Sequence, residues 1–239
     1  MYRIALVCEG PTDRAILEAV LDRYFEDYVP LAIQPPKAAI GGDAGPFGGG
    51  WKGVRSWCAA VVAQGGLDRV AVLENADILV IQVDADVAHD PEIGRAKPCP
   101  PPEDTVDEIR ALILQWLGRP TLPDKVILCV PSMASETWAF VALFPQHPAV
   151  VPCDPPPNDG ECIECRRDIK RLLQKAGKDL RPKLVQSQAG ALKNQVQGYE
   201  ALQPRITKGW SKVLAMCSEA RRFDDEIRRR SPSDEGMRT

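Results

Sequence analysis

Several features that would assign a protein quickly to a class are missing from this sequence. No apolar run approaches the roughly 20 residues of a membrane-spanning helix, and the opening MYRIALVCEGPTD lacks the basic start and the cleavage site of a secretory signal peptide. The motif GxxxxGK[ST] is absent, which excludes an ATP-binding P-loop. We therefore expect a globular, cytoplasmic protein without a membrane segment.

Charge of one sign does not dominate either, because the net charge is only −3. The charges are unevenly distributed, however. Residues 166–230 contain 17 Lys and Arg against 7 Asp and Glu, a balance of about +10, which leaves about −13 for the rest. An acidic part that holds a cation beside a basic part that holds phosphates suits an enzyme acting on nucleic acid. Amphipathic helices with solvated basic faces are an equal alternative on charge alone.

The eight cysteines are dispersed, which predicts reduced thiols or one metal cluster rather than a disulfide framework. Three of them form C-x8-C-x2-C: Cys153, Cys162 and Cys165. A CxxC pair with a third cysteine in a cytoplasmic protein suggests structural zinc, with Cys99 or His147 as the fourth ligand. Free thiols or a redox-labile pair are the alternative.

Short apolar runs typical of buried strands alternate with helical periodicity along the first 145 residues. The predicted strands are 3–8, 29–34, 78–83 and 125–130, and the predicted helices are 15–21, 51–64, 104–117 and 137–144. This alternation predicts an α/β fold with a mostly parallel sheet flanked by helices. We interpret the glycine-rich segment 41–50 as a surface loop.

A proline-rich, irregular stretch at 145–160 marks the predicted end of the α/β domain. Beyond it, we predict helices at 161–176, 189–202 and 207–229. The chain is therefore divided into an α/β domain at 1–145, a basic helical extension with a cysteine-rich loop at 146–230, and a disordered tail at 231–239.

Two aspartates end the apolar run of the third predicted strand, at Asp84 and Asp86. If the strand runs that far, their side chains leave the same face, about 6.5 Å apart along the backbone. Two neighbouring carboxylates are unfavourable unless a cation neutralises them, and oxygen ligands suit Mg²⁺ or Mn²⁺. A solvated, Asp-rich turn that closes the strand is the alternative.

Two further acids follow other predicted strands. Glu9 lies in the EGPTD turn after the first strand, and Glu136 lies in the first turn of the helix that follows the fourth strand. If the first and third strands are neighbours, Glu9 converges with Asp84 and Asp86 on one rim. The helix dipole alone would favour an acid at Glu136.

The combination of VCEGPTD with VIQVDAD resembles the Toprim fold of topoisomerases, bacterial primases and OLD-type nucleases. The SETWAF segment and the ending WSKVLAMCSEARRF are similar to small stand-alone Toprim proteins of bacterial anti-phage defence. The resemblance implies that residues 1–145 are a catalytic domain in which Glu9, Asp84 and Asp86 bind Mg²⁺ or Mn²⁺, with Glu136 as a fourth carboxylate. It also implies a separate ABC-type ATPase partner.

Other residues are candidates for supporting roles. Asp90 could add to the metal ligands, and His89 is more typical of a loop residue than of a ligand for a hard cation. Related nuclease sites often contain a lysine, for which Lys193 is a candidate and Lys208 another, although most lysines are solvated.

The resulting hypothesis is a Mg²⁺- or Mn²⁺-dependent endonuclease that hydrolyses DNA or RNA as the effector of an anti-phage system. The alternative is a non-catalytic, Toprim-like subunit that binds nucleic acid or serves as a scaffold. Either protein could form a homo-oligomer. Small-molecule phosphotransfer is disfavoured, because Val87 and Ala88 stand where a nucleophile's partner would be expected.

Overall fold

A computed structural model describes residues 1–36, 45–155 and 161–231. Four strands form one parallel sheet in the order β2-β1-β3-β4. The strands are β1 (Tyr2–Val7), β2 (Tyr28–Gln34), β3 (Ile78–Gln82) and β4 (Val126–Cys129). Every residue of β3 and β4 is buried, as expected for strands covered by helices on both faces.

Eight α-helices, three short 3₁₀ helices and a hairpin complete the described structure. The helices are α1 (Pro11–Leu21), α2 (Gly50–Ala63), α3 (Ala71–Asn75), α4 (Glu103–Trp116), α5 (Ser135–Leu143), α6 (Ile169–Ala176), α7 (Val196–Met216) and α8 (Ser218–Arg228). The antiparallel hairpin is formed by β5 (Val185–Gln188) and β6 (Ala191–Asn194).

The sheet separates two hydrophobic cores, because successive strand residues point to opposite faces. Ile4 and Leu6 of β1 belong to a core shared with α1, α5, α7 and α8. Ala5 and Val7 belong to a second core shared with α2 and α4. This architecture confirms the predicted Toprim-like α/β class, with a parallel sheet flanked by helices and a helical region at the C-terminus.

The strand before the two aspartates is shorter than predicted and ends before it reaches them. β3 ends at Gln82, and Ala85–His89 form a 3₁₀ helix, so Asp84 and Asp86 are not alternate residues of one strand. The amide groups here bond to the segment after β4: Ala85 N–H donates to the carbonyl of Pro131 at 2.9 Å. The assumption of a continuous strand is therefore wrong.

The helix predicted at 161–176 begins later than expected. Ile163–Cys165 form a single 3₁₀ turn, and α6 starts only at Ile169. Glu164 explains the difference, because its carboxylate turns away to accept the N–H and the hydroxyl of Ser218 and the N–H of Glu219. A long-range contact here outweighs the local periodicity.

The helix predicted at 189–202 is wrong at its start. Ala189 and Gly190 both have positive φ, of 48° and 81°. Two consecutive residues with positive φ are the requirement of a tight hairpin turn, which joins β5 to β6. The helical periodicity begins only with α7, at Val196.

The last predicted helix, at 207–229, is two helices. Cys217 is extended (φ −120°, ψ 118°) and separates α7 from α8. The break is stabilised by Glu164, whose carboxylate accepts two N–H groups of the first turn of α8.

Helix α7 packs closely on the α/β layer through α1 and α5. A Cβ added to Gly209 would lie 2.8 Å from the Cα of Ala142, so only glycine allows this approach. Trp138 and Trp210 pack edge to face beside it, with centroids 5.4 Å apart. Among the described helices, none is both long and apolar enough to cross a membrane. Residues 41–44 of the glycine-rich segment and 232–239 of the predicted tail lie outside the described ranges.

Candidate metal centre

The carboxyl ends of β1 and β3 meet, because these strands are direct neighbours with Val7 opposite Ile81. Just beyond the strands, Asp84 N–H donates to Glu9 Oε1 at 2.8 Å. Glu9 N–H in turn donates to Gln82 Oε1 at 3.0 Å. The expected adjacency of Glu9 and Asp84 is therefore present.

Asp84 is the central acid of the site. It is buried, and its Oδ1 accepts Gln82 Nε2 at 2.7 Å and the N–H of Ser135 at 3.1 Å. The first donor is the last residue of β3, and the second is the first residue of α5. Both bonds use the same oxygen, Oδ1, so Oδ2 is the oxygen that could face a cation.

Two more buried acids join Asp84. Oxygens of Asp13, Asp84 and Glu136 all lie within 4.8 Å of one another, close enough to share one cation. Ser135 Oγ donates to Asp13 Oδ1 at 2.6 Å, and Asn194 Nδ2 donates to Glu136 Oε1. The candidate fourth carboxylate is thus brought to the site.

Asp13 is the acid that the sequence reasoning missed as a ligand. Pro11 at the start of α1 makes Asp13 the third helical residue. Side chains of a helix lean toward its N-terminus, so this position directs the carboxylate back to the ends of the strands. The signal available in the sequence was the fixed spacing of Glu9, Pro11 and Asp13 in EGPTD.

Crowding of these acids perturbs their protonation. Burial raises the pKa of Asp84 well above its ordinary value, and the charges of Asp13 and Glu9 raise it further. Burial and Glu136 raise the pKa of Asp13 to about 7. Burial and Asp13 also raise the pKa of Glu9, against the N–H bond from Asp84. Excess negative charge in a confined space is the condition that a bound cation relieves.

Asp86 differs from the other acids because its side chain reaches solvent. It lies in the 3₁₀ helix and lines a pocket of about 240 Å³ together with Asp84 and Glu136. Partial burial and Glu136 raise the pKa of Asp86 to about 6. Asp86 is thus a rim residue outside the three-acid group.

Positive charge enters the pocket from a segment that sequence reasoning had not selected. Lys170 and Arg167 line the pocket, and Lys170 Nζ lies 3.8 Å from Glu136 Oε1. Burial opposes the charge, but Glu136 and its neighbouring acids raise the pKa of Lys170. The candidates named from the sequence lie elsewhere: Lys193 is exposed on the hairpin and Lys208 is exposed on α7.

The remaining candidates near Asp86 make other contacts. Arg167 Nη2 lies 3.0 Å from His89 Nε2, and partial burial together with Arg167 lowers the pKa of His89. Asp90 ends the 3₁₀ helix and accepts the N–H of Glu92 at 2.9 Å. The structure does not bring Asp90 into the three-acid group.

The four cysteines considered for zinc are paired. Disulfides join Cys99 to Cys165 and Cys153 to Cys162. The expectation of reduced thiols is wrong for these residues in this form, and it holds for the four buried free cysteines, Cys8, Cys58, Cys129 and Cys217. His147 packs edge to face on Phe140 and accepts Ala149 N–H.

The donor set fits Mg²⁺ or Mn²⁺. All candidate ligand atoms are carboxylate oxygens, which hard cations prefer. Protein donors orient Asp84, Glu136 and Glu9 through one oxygen each, so that the other oxygen can face a cation. Such orienting contacts are typical of carboxylates that ligate metals.

Comparison with known proteins gives no match: no family model, no curated protein and no solved structure corresponds to this chain. The function is therefore inferred from the geometry of the site.

Proposed function

We propose that this protein is a Mg²⁺- or Mn²⁺-dependent nuclease that hydrolyses phosphodiester bonds of DNA or RNA. The observation that carries the proposal is the convergence of Asp13, Asp84 and Glu136 within 4.8 Å, beside an ammonium group. Acids from distant parts of the chain meet there at the carboxyl ends of parallel strands, where ligands bind in open α/β sheets.

The acids of such a site would have two roles, cation binding and proton acceptance. Asp84, Asp13 and Glu136 would hold the cation, with Glu9 beside them through its bond to Asp84. A cation held by these residues would supply polarisation of the phosphate and a lowered pKa for an attacking water. Asp86, on the open rim with a pKa of about 6, is ionised at neutral pH and is suited to accept a proton from that water.

Lys170 and Arg167 would hold the other side of the substrate. Both line the pocket that contains Asp84 and Asp86, and both are exposed enough to meet a phosphate from solvent. The ammonium of Lys170 would stabilise negative charge that develops on the phosphate oxygens. Arg167 suits two-point recognition of a neighbouring phosphate.

The alternative of a non-catalytic basic module has less support, because the arginines of the last helix are largely engaged. Arg222 pairs with Asp107, Arg228 with Asp224, and Arg229 and Arg230 with Glu226. Charges in ion pairs attract phosphates less than the sequence balance suggests. Lys170 and Arg167, by contrast, line the acid pocket.

The wider setting of the proposal rests on the resemblance of VCEGPTD and VIQVDAD to Toprim nucleases. On that basis we place the protein in the cytoplasm, as an anti-phage effector that acts with a separate ABC-type ATPase. Residues 1–145 would be the catalytic domain, residues 146–230 the helical extension, and a homo-oligomer is compatible with either role.

The test is cleavage of plasmid, single-stranded DNA and tRNA by purified protein, assayed alone and with a candidate ABC-type ATPase added in parallel. We expect cleavage with Mg²⁺ or Mn²⁺, and none with EDTA. Asp84→Asn should abolish it, because it removes the central ligand charge. Asp90→Asn is the matched control, since Asp90 lies outside the acid group and should retain activity.

Two results would overturn the nuclease proposal. One is no cleavage of any substrate under these conditions. The other is equal cleavage by wild type and Asp84→Asn, which would identify a contaminating nuclease. Nucleic-acid binding that survives Asp84→Asn in a protein that never cleaves would favour the non-catalytic alternative.

A further inference from the structure

Four sulfur atoms from separate parts of the chain meet at one place. Cys99 belongs to the loop after the 3₁₀ helix of Asp86, and Cys153 to the segment after α5. Cys162 directly precedes the 3₁₀ turn before α6, and Cys165 is the last residue of that turn. The sulfurs of Cys162 and Cys165, which belong to different disulfides, are 3.3 Å apart. The two disulfides therefore form one four-sulfur cluster.

The distances between the sulfurs of this cluster are close to those of a metal site. Two independent disulfides would not require the sulfurs to lie so near one another. Sulfurs of Cys153, Cys162 and Cys165 lie within 4.8 Å of one another, and Cys99 is bonded to Cys165. In a tetrahedral zinc site, Zn–S bonds of about 2.3 Å separate the sulfurs by about 3.8 Å. Small side-chain rotations therefore convert one arrangement into the other.

We propose that the reduced protein binds one Zn²⁺ through Cys99, Cys153, Cys162 and Cys165. Each disulfide takes two electrons and two protons from two molecules of a small thiol such as glutathione, which becomes its own disulfide. Zn²⁺ then replaces the four thiol protons, which pass to solvent. The disulfide form is the oxidised, metal-free state of the same cluster.

The position of the cluster gives the zinc a structural role. Cys165 is followed directly by Arg166 and Arg167, and α6, which carries Lys170, begins four residues after Cys165, at Ile169. The zinc would tie this basic segment to the loop after Asp86 through Cys99. A tetrathiolate centre would carry a net charge of −2. This proposal does not depend on nuclease activity.

The first test is the zinc content of protein purified with a thiol reductant and without added chelator. We expect about one zinc per chain, measured by inductively coupled plasma mass spectrometry. Replacement by Co²⁺ should give the visible absorption bands of tetrahedral thiolate coordination. Absence of zinc, together with four unreactive cysteines in denatured, unreduced protein, would overturn the proposal in favour of stable disulfides.

Variants identify the ligands. Cys99→Ser should lose zinc or shift the Co²⁺ bands, whereas Cys58→Ala, at a buried free cysteine in the other core, should retain one zinc. His147→Ala should also retain it. If His147→Ala lost zinc while Cys99→Ser kept it, the four-cysteine set would be wrong. Because the Co²⁺ spectrum is recorded on wild type, a variant that fails to fold does not prevent a decision.

Discussion

Lys170 brings a positive charge from the basic part of the chain to the acid pocket. It comes from the basic part of the chain, yet its ammonium lies 3.8 Å from Glu136 and faces the acid pocket. An ammonium beside carboxylates and a cation site can stabilise charge that appears only during reaction. Its role is therefore separable from that of the metal ligands.

Replacing Lys170 with Met should slow cleavage by about 10²–10³-fold, because one preorganised positive group is lost from the reacting phosphate. The thermal stabilisation by Mn²⁺ should remain, since the carboxylate ligands are intact. Lys193→Met, on the exposed hairpin, is the control and should cleave at the wild-type rate. Lys170→Arg should recover part of the activity. Wild-type cleavage by Lys170→Met would exclude this role.

Replacement of Asp13 is expected to stabilise the metal-free protein. Its buried carboxyl, with a pKa raised to about 7, repels Glu136 when ionised. Asp13→Asn removes that charge, and the new side chain can still accept the Ser135 hydroxyl. Without metal, we therefore expect a higher melting temperature at about pH 8. The rise should be roughly 2–4 °C for each kcal/mol gained in the free energy of unfolding. The shift caused by Mn²⁺ should shrink.

Differential scanning fluorimetry in EDTA and in Mn²⁺ measures both effects of Asp13→Asn. Asp179→Asn is the control, because Asp179 is exposed and should change neither value. A lower melting temperature for Asp13→Asn in EDTA would contradict the view that the acids repel one another.

At the scale of the elements, sequence reasoning succeeded where side-chain periodicity is dictated by a sheet or a helix face. All four strands of the parallel sheet were located, and with them Glu9 and Asp84, because apolar runs end where the sheet ends. It failed where distant groups decide the conformation. Glu164 displaces one helix start and caps another, and the pair Ala189–Gly190 makes a turn within a helical pattern. Lys170 was missed because nothing local marks it.

The contact between α5 and α7 yields a prediction at this scale. Gly209→Ala places a methyl group against the backbone of Ala142, which we expect to cost about 1–3 kcal/mol in the free energy of unfolding. Because α5 carries Glu136, Mn²⁺ affinity should fall as well. Urea denaturation and Mn²⁺ titration measure the two effects. Lys212→Ala, exposed on the same helix, should affect neither, and an unchanged Gly209→Ala would contradict the close packing.

For the whole molecule, the acid pocket links folding to pH and to divalent cations. The folded state raises the pKa of Asp13 from 3.8 to about 7 and also raises those of Asp84 and Glu9, so it binds protons more tightly than the unfolded chain. A group with a raised acid pKa contributes most below its unfolded value, and that contribution is lost as pH rises toward the folded value.

We therefore expect the free energy of unfolding in EDTA to fall between about pH 5 and 7.5, by about 1.4 kcal/mol per pH unit for each extra proton bound by the folded state. Burial raises the pKa of Glu219 to about 7, which adds to the fall in stability with pH, whereas the lowered pKa of His89 opposes that fall.

Mn²⁺ competes with the protons bound by the acids. It should reverse the dependence of stability on pH, since it binds best when the acids are ionised. Urea denaturation across this range, with EDTA or Mn²⁺, measures both slopes. Stability that rises with pH in EDTA would mean that the acids do not crowd one another as the structure shows.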